Sequence, residues 1–160
     1  MTTEQNVSLR PIAPAEYEAW LAHLIADYGA EKVAAGNWTA EEAPARAAEE
    51  TKGLLPQGAA TPGQHIFSIV AEGELEPVGV LWFAVIEARR QAFIYDLEIH
   101  PPYRRRGYAE RAMRAAEAEV RALGLETIGL HVFGHNHAAR ALYEKLGYDI
   151  TNLNLIKRVG

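Results

Sequence analysis

The period of the apolar positions changes repeatedly along this chain, and each change predicts an element. Residues 7–11 read as a short strand. Between 16 and 34, Tyr17, Trp20, Leu21, Leu24, Ile25 and Tyr28 recur at three- and four-residue spacing, one side of a helix. Residues 39–55 predict a second helix, opened by Thr39 and Glu42 in a capping-box pattern in which each can satisfy an orphan amide. Pro44 works against a helix running through it, because it removes a backbone donor just past the first turn. Residues 54–63, rich in Gly, Pro and Gln, read as an irregular loop.

The pattern then shortens. Apolar runs at 66–71 and 77–87 flank a turn at 72–76, a hairpin signature, and Arg89-Arg90 separates the second run from a third at 92–99. Helical spacing returns at 107–123, with Ala109, Ala112, Met113, Ala116, Val120 and Leu123 on one stripe. Glu110 with Arg114 and Glu117 with Arg121 are i,i+4 pairs on its polar side, and Gly124 supplies the stop. A strand at 127–133, a helix at 136–146 ended by Gly147, and a closing strand at 148–157 complete the series. This order predicts an α/β (α+β) fold: one domain over 1–160, with a single mixed central sheet and helices on both faces.

Composition narrows the picture. At 160 residues a fold buries roughly 70% of its unfolded surface, enough for one self-sufficient core. The formal net charge of -5 argues against a nucleic-acid partner, whose binding rests on phosphate neutralisation. With no cysteine, disulfides, Cys-based zinc sites and a cysteine acyl-enzyme are all excluded. No apolar run is long enough to span a membrane and the first residues carry no apolar signal core, so the expectation is a cytoplasmic protein without a membrane partner.

The densest chemistry lies at Arg104-Arg105-Arg106-Gly107-Tyr108-Ala109, between a strand and a clear amphipathic helix. Gly107 can take dihedrals closed to other residues and lets an anion approach the backbone, and Ala109 keeps the helix start uncrowded. Amides at that helix N-terminus, backed by the helix dipole, suit a pyrophosphate, and the arginines suit further phosphate. A solvated surface turn is the plainer reading of such a string, but its place between strand and helix favours the cradle.

Residues 97–109 resemble the acetyl-CoA motif of the GCN5-related N-acetyltransferases, [Q/R]-x-x-G-x-[G/A], with Arg104, Gly107 and Ala109 at the matching positions. Residues 130–148 resemble that family's later motif through Asn136, Ala139, Leu142-Tyr143-Glu144-Lys145 and Gly147-Tyr148, and residues 152–157 resemble its closing strand. The likeness is firm over 78–157 and faint in the first third. It implies a central, mostly antiparallel sheet with an acetyl-CoA-binding core at 64–157 and acceptor-side helices within 1–63. It also implies acetyl-CoA as cosubstrate, a primary amine as acceptor, and a homodimer. Backbone groups of Leu97 and Ile99 would pair with the pantetheine arm, and amides from Arg105 to Glu110, with Arg104 and Arg106 nearby, would hold the pyrophosphate. Asn136 would contact the pantetheine or thioester region, and Tyr143 would protonate the departing thiolate. Asn136 also reads as a helix N-cap and Tyr143 as a core aromatic.

A protonated amine must lose a proton before it attacks a thioester. Asp96, Glu98 and His100 alternate along one strand face, with Leu97 and Ile99 on the other. Glu98 is the first candidate base and Asp96 the second, with pairing to nearby arginines as the plainer reading of each. His131, His135 and His137 match no standard zinc spacing, so no metal is expected. Tyr17, Trp20, Tyr28 and Trp38 could line an acceptor pocket with Asp27 or Glu31 attracting a cation, against the simpler reading of core aromatics and a solvated acidic face. A non-catalytic acyl-CoA-binding module, or transfer of another acyl chain or to another acceptor, would use the same cofactor motif.

Overall fold

A computed structural model describes residues 6–160. The five strands β1 (Val7–Pro11), β2 (Gln64–Ala71), β3 (Gly79–Ile86), β4 (Gln91–Ile99) and β5 (Thr127–Leu130) form one sheet in sequence order. The first four are antiparallel and β5 runs parallel to β4. Helices α1 (Pro14–Ala34) and α2 (Ala43–Leu54) follow β1, α3 (Tyr108–Ala122) joins β4 to β5, and α4 (His137–Lys145) follows β5.

Each face of the sheet has its own core. On one, Ile69, Leu81, Phe83, Ala92 and Ile94 pack against Tyr108, Ala112, Met113, Ala116 and Val120 of α3, and Tyr143 and Leu146 of α4 join them. On the other, Ile66, Val80 and Trp82 meet Tyr17 and Trp20 of α1. A third cluster ties Ile25 and Tyr28 of α1 to Trp38, Ala43 and Ala47. Helices therefore cover both faces, as expected.

Several boundaries move for physical reasons. The Thr39–Glu42 capping pair forms, at 3.3 and 3.1 Å, but in a turn before α2. The helix begins at Ala43, which puts Pro44 in the first turn where its missing N–H costs nothing. On α3 the buried stripe includes Tyr108, while Leu123 is exposed beyond the helix end. The strand expected over 127–133 pairs only to Leu130, because its partner β4 is bound to it only as far as Ile94. The closing strand expected over 148–157 is absent: the segment after α4 has no strand partner among the described residues and is exposed from Asp149 onward. An extended sequence pattern is not enough to make a strand where no ladder receives it.

One irregularity positions the site. Trp82 lies opposite Asp96 and Phe83 opposite Ile94, so Tyr95 is an extra, unopposed residue in β4. Such a bulge reverses the alternation of the strand. Before it, Ala92 and Ile94 face the α3 core; after it, Leu97 and Ile99 do. Asp96 and Glu98 are thereby turned toward α1. Close approach of β3 supports this end of β4, since a Cβ on Gly79 would overlap the Glu98 carbonyl.

Candidate active site

β4 continues five residues past the last one paired to β5, at Ile94, leaving an open strand edge at 95–99. The His100 N–H donates to the Val78 carbonyl at 2.8 Å, which fixes the phase of the β3–β4 ladder. In an antiparallel pair, main-chain groups of alternate residues point to alternate sides. His100, Glu98 and Asp96 therefore face β3, while Leu97 and Ile99 direct theirs to the open edge. Arg104 Nε donates to the Ile99 carbonyl at 2.8 Å, so that acceptor is occupied. The N–H and C=O of Leu97 and the N–H of Ile99 are the edge groups open to an extended ligand.

The edge leads through a short 3₁₀ turn, Pro101–Tyr103, into the start of α3. Arg105 and Gly107 both have left-handed backbone, with φ of 63° and 80°. The two left-handed residues curl the chain into a concavity of main-chain amides. The first helical bond runs from Arg111 N–H to the Gly107 carbonyl, leaving the amides of Ala109 and Glu110 without helical partners. The side chains divide differently from the sequence expectation. Arg104 and Arg105 line the cleft, but Arg106 reaches Glu74 at 3.4 Å. Glu110 binds Arg114 at 3.1 Å and Lys145 at 3.0 Å, joining α3 to α4. Tyr108 is core, at 1% exposure, and can offer a ligand little beyond its backbone.

Edge and cradle belong to one cleft of about 930 Å³, also lined by Asn136 and Tyr143 from α4 and by Asp27, Tyr28 and Glu31 from α1. Asn136 does cap α4, its Oδ1 accepting from the Ala139 N–H at 3.2 Å, and it lines the cleft as well. Tyr143 packs on Tyr148 and the α3 core while lining the cleft. Burial, with the charges of Asp96 and Glu31, pushes its phenol up to about 12, so it is a neutral donor at physiological pH.

Across the cleft lie carboxylates. Asp96 accepts from the Trp20 indole N–H at 2.9 Å. Burial raises its pKa to about 7; the Trp20 bond opposes this, and Glu98, Glu31 and Asp27 add to it. Glu98 accepts from His23 Nε2 at 2.7 Å, and the same nitrogen lies 3.0 Å from Asp27. These three side chains are the one group among the described residues arranged closely enough to hold a cation. A ring N–H shared between two carboxylates accounts for the geometry without an ion. Glu31 is also raised, by burial first and then by Asp27, against the opposing charge of His135. Among the described residues, no Lys or Arg forms an ion pair with Asp27, Glu31, Asp96 or Glu98.

Of the expected acceptor aromatics, Tyr17, Trp20 and Trp38 are core, and Tyr28 alone lines the cleft, its hydroxyl on Glu50 at 2.8 Å. Sequence reasoning missed His23 and the donor role of Trp20. Their spacing held the signal: Trp20, His23 and Asp27 follow one another at three and four residues, on one side of α1.

An open strand edge leading into a helix N-terminus is the arrangement that the sequence motif at 97–109 predicts, and the comparisons identify the family. The acetyltransferase (GNAT) family model matches residues 18–148, and the chain belongs to that family. It is 36% identical over 156 residues to the uncharacterised N-acetyltransferase YycN of Bacillus subtilis (strain 168), covering 96% of this chain and 99% of YycN. The crystal structure of YycN superposes with a TM-score of 0.91, at 35% identity, over 96% of this chain and 99% of that one. At 14% identity the fold alone is shared with AAC(6')-Iy, solved with the bisubstrate analogue CoA-S-monomethyl-acetylneamine, at a TM-score of 0.61 over 97% of this chain and 99% of that one. Among the described residues, no helix is long and apolar enough to cross a membrane.

Proposed function

We propose that this chain transfers the acetyl group of acetyl-CoA directly to a primary amine bearing positive charge. The observation that carries the reading is the continuity of the cleft. A strand edge suited to pantetheine and an amide cradle suited to pyrophosphate meet a phenol on one side and carboxylates on the other. An extended ligand added at a sheet edge gains main-chain hydrogen bonds, and Leu97 and Ile99 offer them. The amides of Ala109 and Glu110 and the Arg105 guanidinium suit the diphosphate.

Acetyl-CoA supplies an activated acyl group whose C–S bond breaks as the C–N bond forms. Asp96 takes the proton that the ammonium must lose before attack, and the second N–H proton, shed as the intermediate collapses, restores the phenol of Tyr143. Its pKa of about 7 suits a base working near neutrality, which moves it ahead of Glu98, whose carboxylate is held by His23. An edge N–H at Leu97 or Ile99 donates to the carbonyl oxygen as charge develops there. Tyr143 donates to the sulfur as it leaves. A phenol near 12 lies well above an ordinary thiol, so outright proton transfer begins uphill. Tyr143 therefore acts first as a hydrogen-bond donor, and the proton passes as the thiolate is held in the buried cleft. The carboxylates on the α1 side, none of them paired with a Lys or Arg among the described residues, favour a cationic acceptor.

Calorimetry with acetyl-CoA, followed by thiol release across a panel of amines, tests the reading. Acetyl-CoA binding with turnover on cationic amines supports it. Binding without turnover on any amine supports a non-catalytic acyl-CoA-binding module, and no binding removes the cofactor assignment.

A further inference from the structure

Lys32 is the one Lys or Arg that α1 contributes to the cleft, and Asp27 and Glu31 line the cleft from the same helix. Its side chain nevertheless forms no ion pair with any described residue. Three aromatic rings hold it instead. The Lys32 ammonium lies 5.7 Å from the centre of the Tyr28 ring, 5.5 Å from Trp38 and 5.9 Å from Phe133. The chain assembles this cage from three places. Tyr28 precedes Lys32 by four residues on one helix face. The Lys32 carbonyl accepts from the Asn37 and Trp38 N–H groups at 2.9 and 3.3 Å, which folds Trp38 back against the helix end. Phe133 comes from the segment after β5 and also lines the cleft.

Aromatic faces attract an ammonium without accepting its hydrogen bonds in the way a carboxylate does. The cage therefore fixes where Lys32 stands and leaves its N–H donors unspent. A half-buried ammonium held among rings meets an anion with less competing water than a surface lysine does. His131 packs edge-to-face on Phe133 at 4.8 Å and lines the cleft too, so a ring nitrogen serves the same end. The other cleft cations stand at the cofactor wall: Arg104 is bound to the Ile99 carbonyl, and Arg105 belongs to the amide cradle. Charge decides which anion suits Lys32. Asp27, Glu31, Asp96 and Glu98 line the same cleft, so a single negative charge is tolerated and a phosphate dianion is repelled.

We propose that Lys32 anchors a carboxylate of the acceptor, so that the acceptor is an amino carboxylate with its ammonium at Asp96 and its carboxylate on Lys32, several bonds away. The inference rests on the acetyl transfer proposed above and names the acceptor's class. Its length follows from α1. Trp20 holds Asp96, and Lys32 follows Trp20 by twelve residues, about 18 Å along the helix axis. Long side chains shorten that gap, but an α-amino acid, with one carbon between its charged groups, does not span it. An ω-amino acid does, and so does a peptide of two or three residues at about 3.3 Å per extended residue.

Thiol release with acetyl-CoA should rank ε-aminohexanoate, ω-aminooctanoate and triglycine above hexylamine and cadaverine by about 10-fold in kcat/KM, with glycine poor. Whether triglycine or the ω-amino acids lead tells a peptide acceptor from a free amino acid. Lys32→Met keeps an apolar stem in the cage and removes the charge. The preference for carboxylates should vanish, through KM rather than kcat, and Lys32→Arg should restore part of it. A second readout needs no turnover. By calorimetry, ε-acetamidohexanoate, a carboxylate without an ammonium, should bind the parent about 10-fold more tightly than Lys32→Met. Turnover on no amine at all ends the acetyl-transfer reading, and the titration then decides the Lys32 site alone. Equal or absent binding of ε-acetamidohexanoate by the two proteins overturns the proposal. So does a parent that uses hexylamine or cadaverine as well as the amino carboxylates.

Discussion

The two walls of the cleft are built from different materials. The β4–α3 wall presents main-chain groups: strand-edge amides and a carbonyl at 97–99, then a helix N-terminus behind Gly107. The α1 wall presents side chains, a run of carboxylates steered by Trp20 and His23. Main-chain groups recur in any sequence that keeps the turn, so the first wall suits a cosubstrate common to a family. Side chains change with every substitution, so the proposed reading puts the choice of acceptor on the second wall. The same contrast governs how each wall can be broken: the first by backbone geometry, the second by charge.

The largest effect should come from Gly107→Glu. The position needs left-handed backbone, and the new carboxylate would sit against the diphosphate. Acetyl-CoA affinity should fall by about 100-fold or more while the fold persists, because a Cβ at Gly107 meets only the Arg111 side chain at 3.6 Å. Calorimetry alongside a melting curve checks this; retained affinity would show that the amide cradle is not the diphosphate site. Next comes Tyr143→Phe, which keeps the ring packed on Tyr148 and removes the donor. Turnover should drop by about 100-fold with acetyl-CoA affinity unchanged. If turnover and affinity fall together, Tyr143 serves binding and not the leaving group.

The same contrast explains what the sequence disclosed. The main-chain wall was legible because Gly107 needs left-handed backbone at a helix start, and such a constraint leaves a short motif. The bulge was legible too, in retrospect: the apolar positions 92, 94, 97 and 99 skip one step, and that step is Tyr95. The side-chain wall was not. The helical spacing of Trp20, His23 and Asp27 puts them on one side of α1, but it does not reveal the carboxylates that Trp20 and His23 reach, 76 and 75 positions away. The missing closing strand has a different cause. Its residues have strand propensity, but no ladder among the described residues receives them.

Asp96 allows the acidic wall to be tested through pH. As a base it must be ionised, so kcat/KM should rise with pH through about 7 and then level. Asp96→Asn should lower the plateau by about 100-fold and abolish that limb. Stability should respond in the opposite direction. The folded pKa lies above the unfolded value of about 3.9, so between the two the folded state holds a proton the unfolded chain has lost. Folding free energy is therefore intact below pH 4 and declines as pH rises toward 7. Asp96→Asn should be more stable than the parent at pH 8, by a few kcal/mol at most, and equal to it near pH 3. Denaturant melts at the two pH values read this directly. A variant that is less stable at both would make Asp96 a structural partner of Trp20 rather than a strained base.

The smallest effect is the most specific to the second wall. Asp27 is exposed, and its contact with His23 competes with the contact from Glu98 to the same ring nitrogen. Asp27→Asn removes a charge at the rim without emptying the core, so its effect on an acceptor should be that of an exposed charge, about 0.2–1 kcal/mol. KM for a cationic acceptor should rise by at most about fivefold at low salt, and less at 0.5 M salt where exposed charges are screened. KM for acetyl-CoA should not move, because the cofactor wall presents no group that Asp27 touches. The split between the two KM values is what separates the walls. If the acetyl-CoA value rises as much as the acceptor value, α1 does not define a separate acceptor side, and the carboxylates act on the cleft as one field.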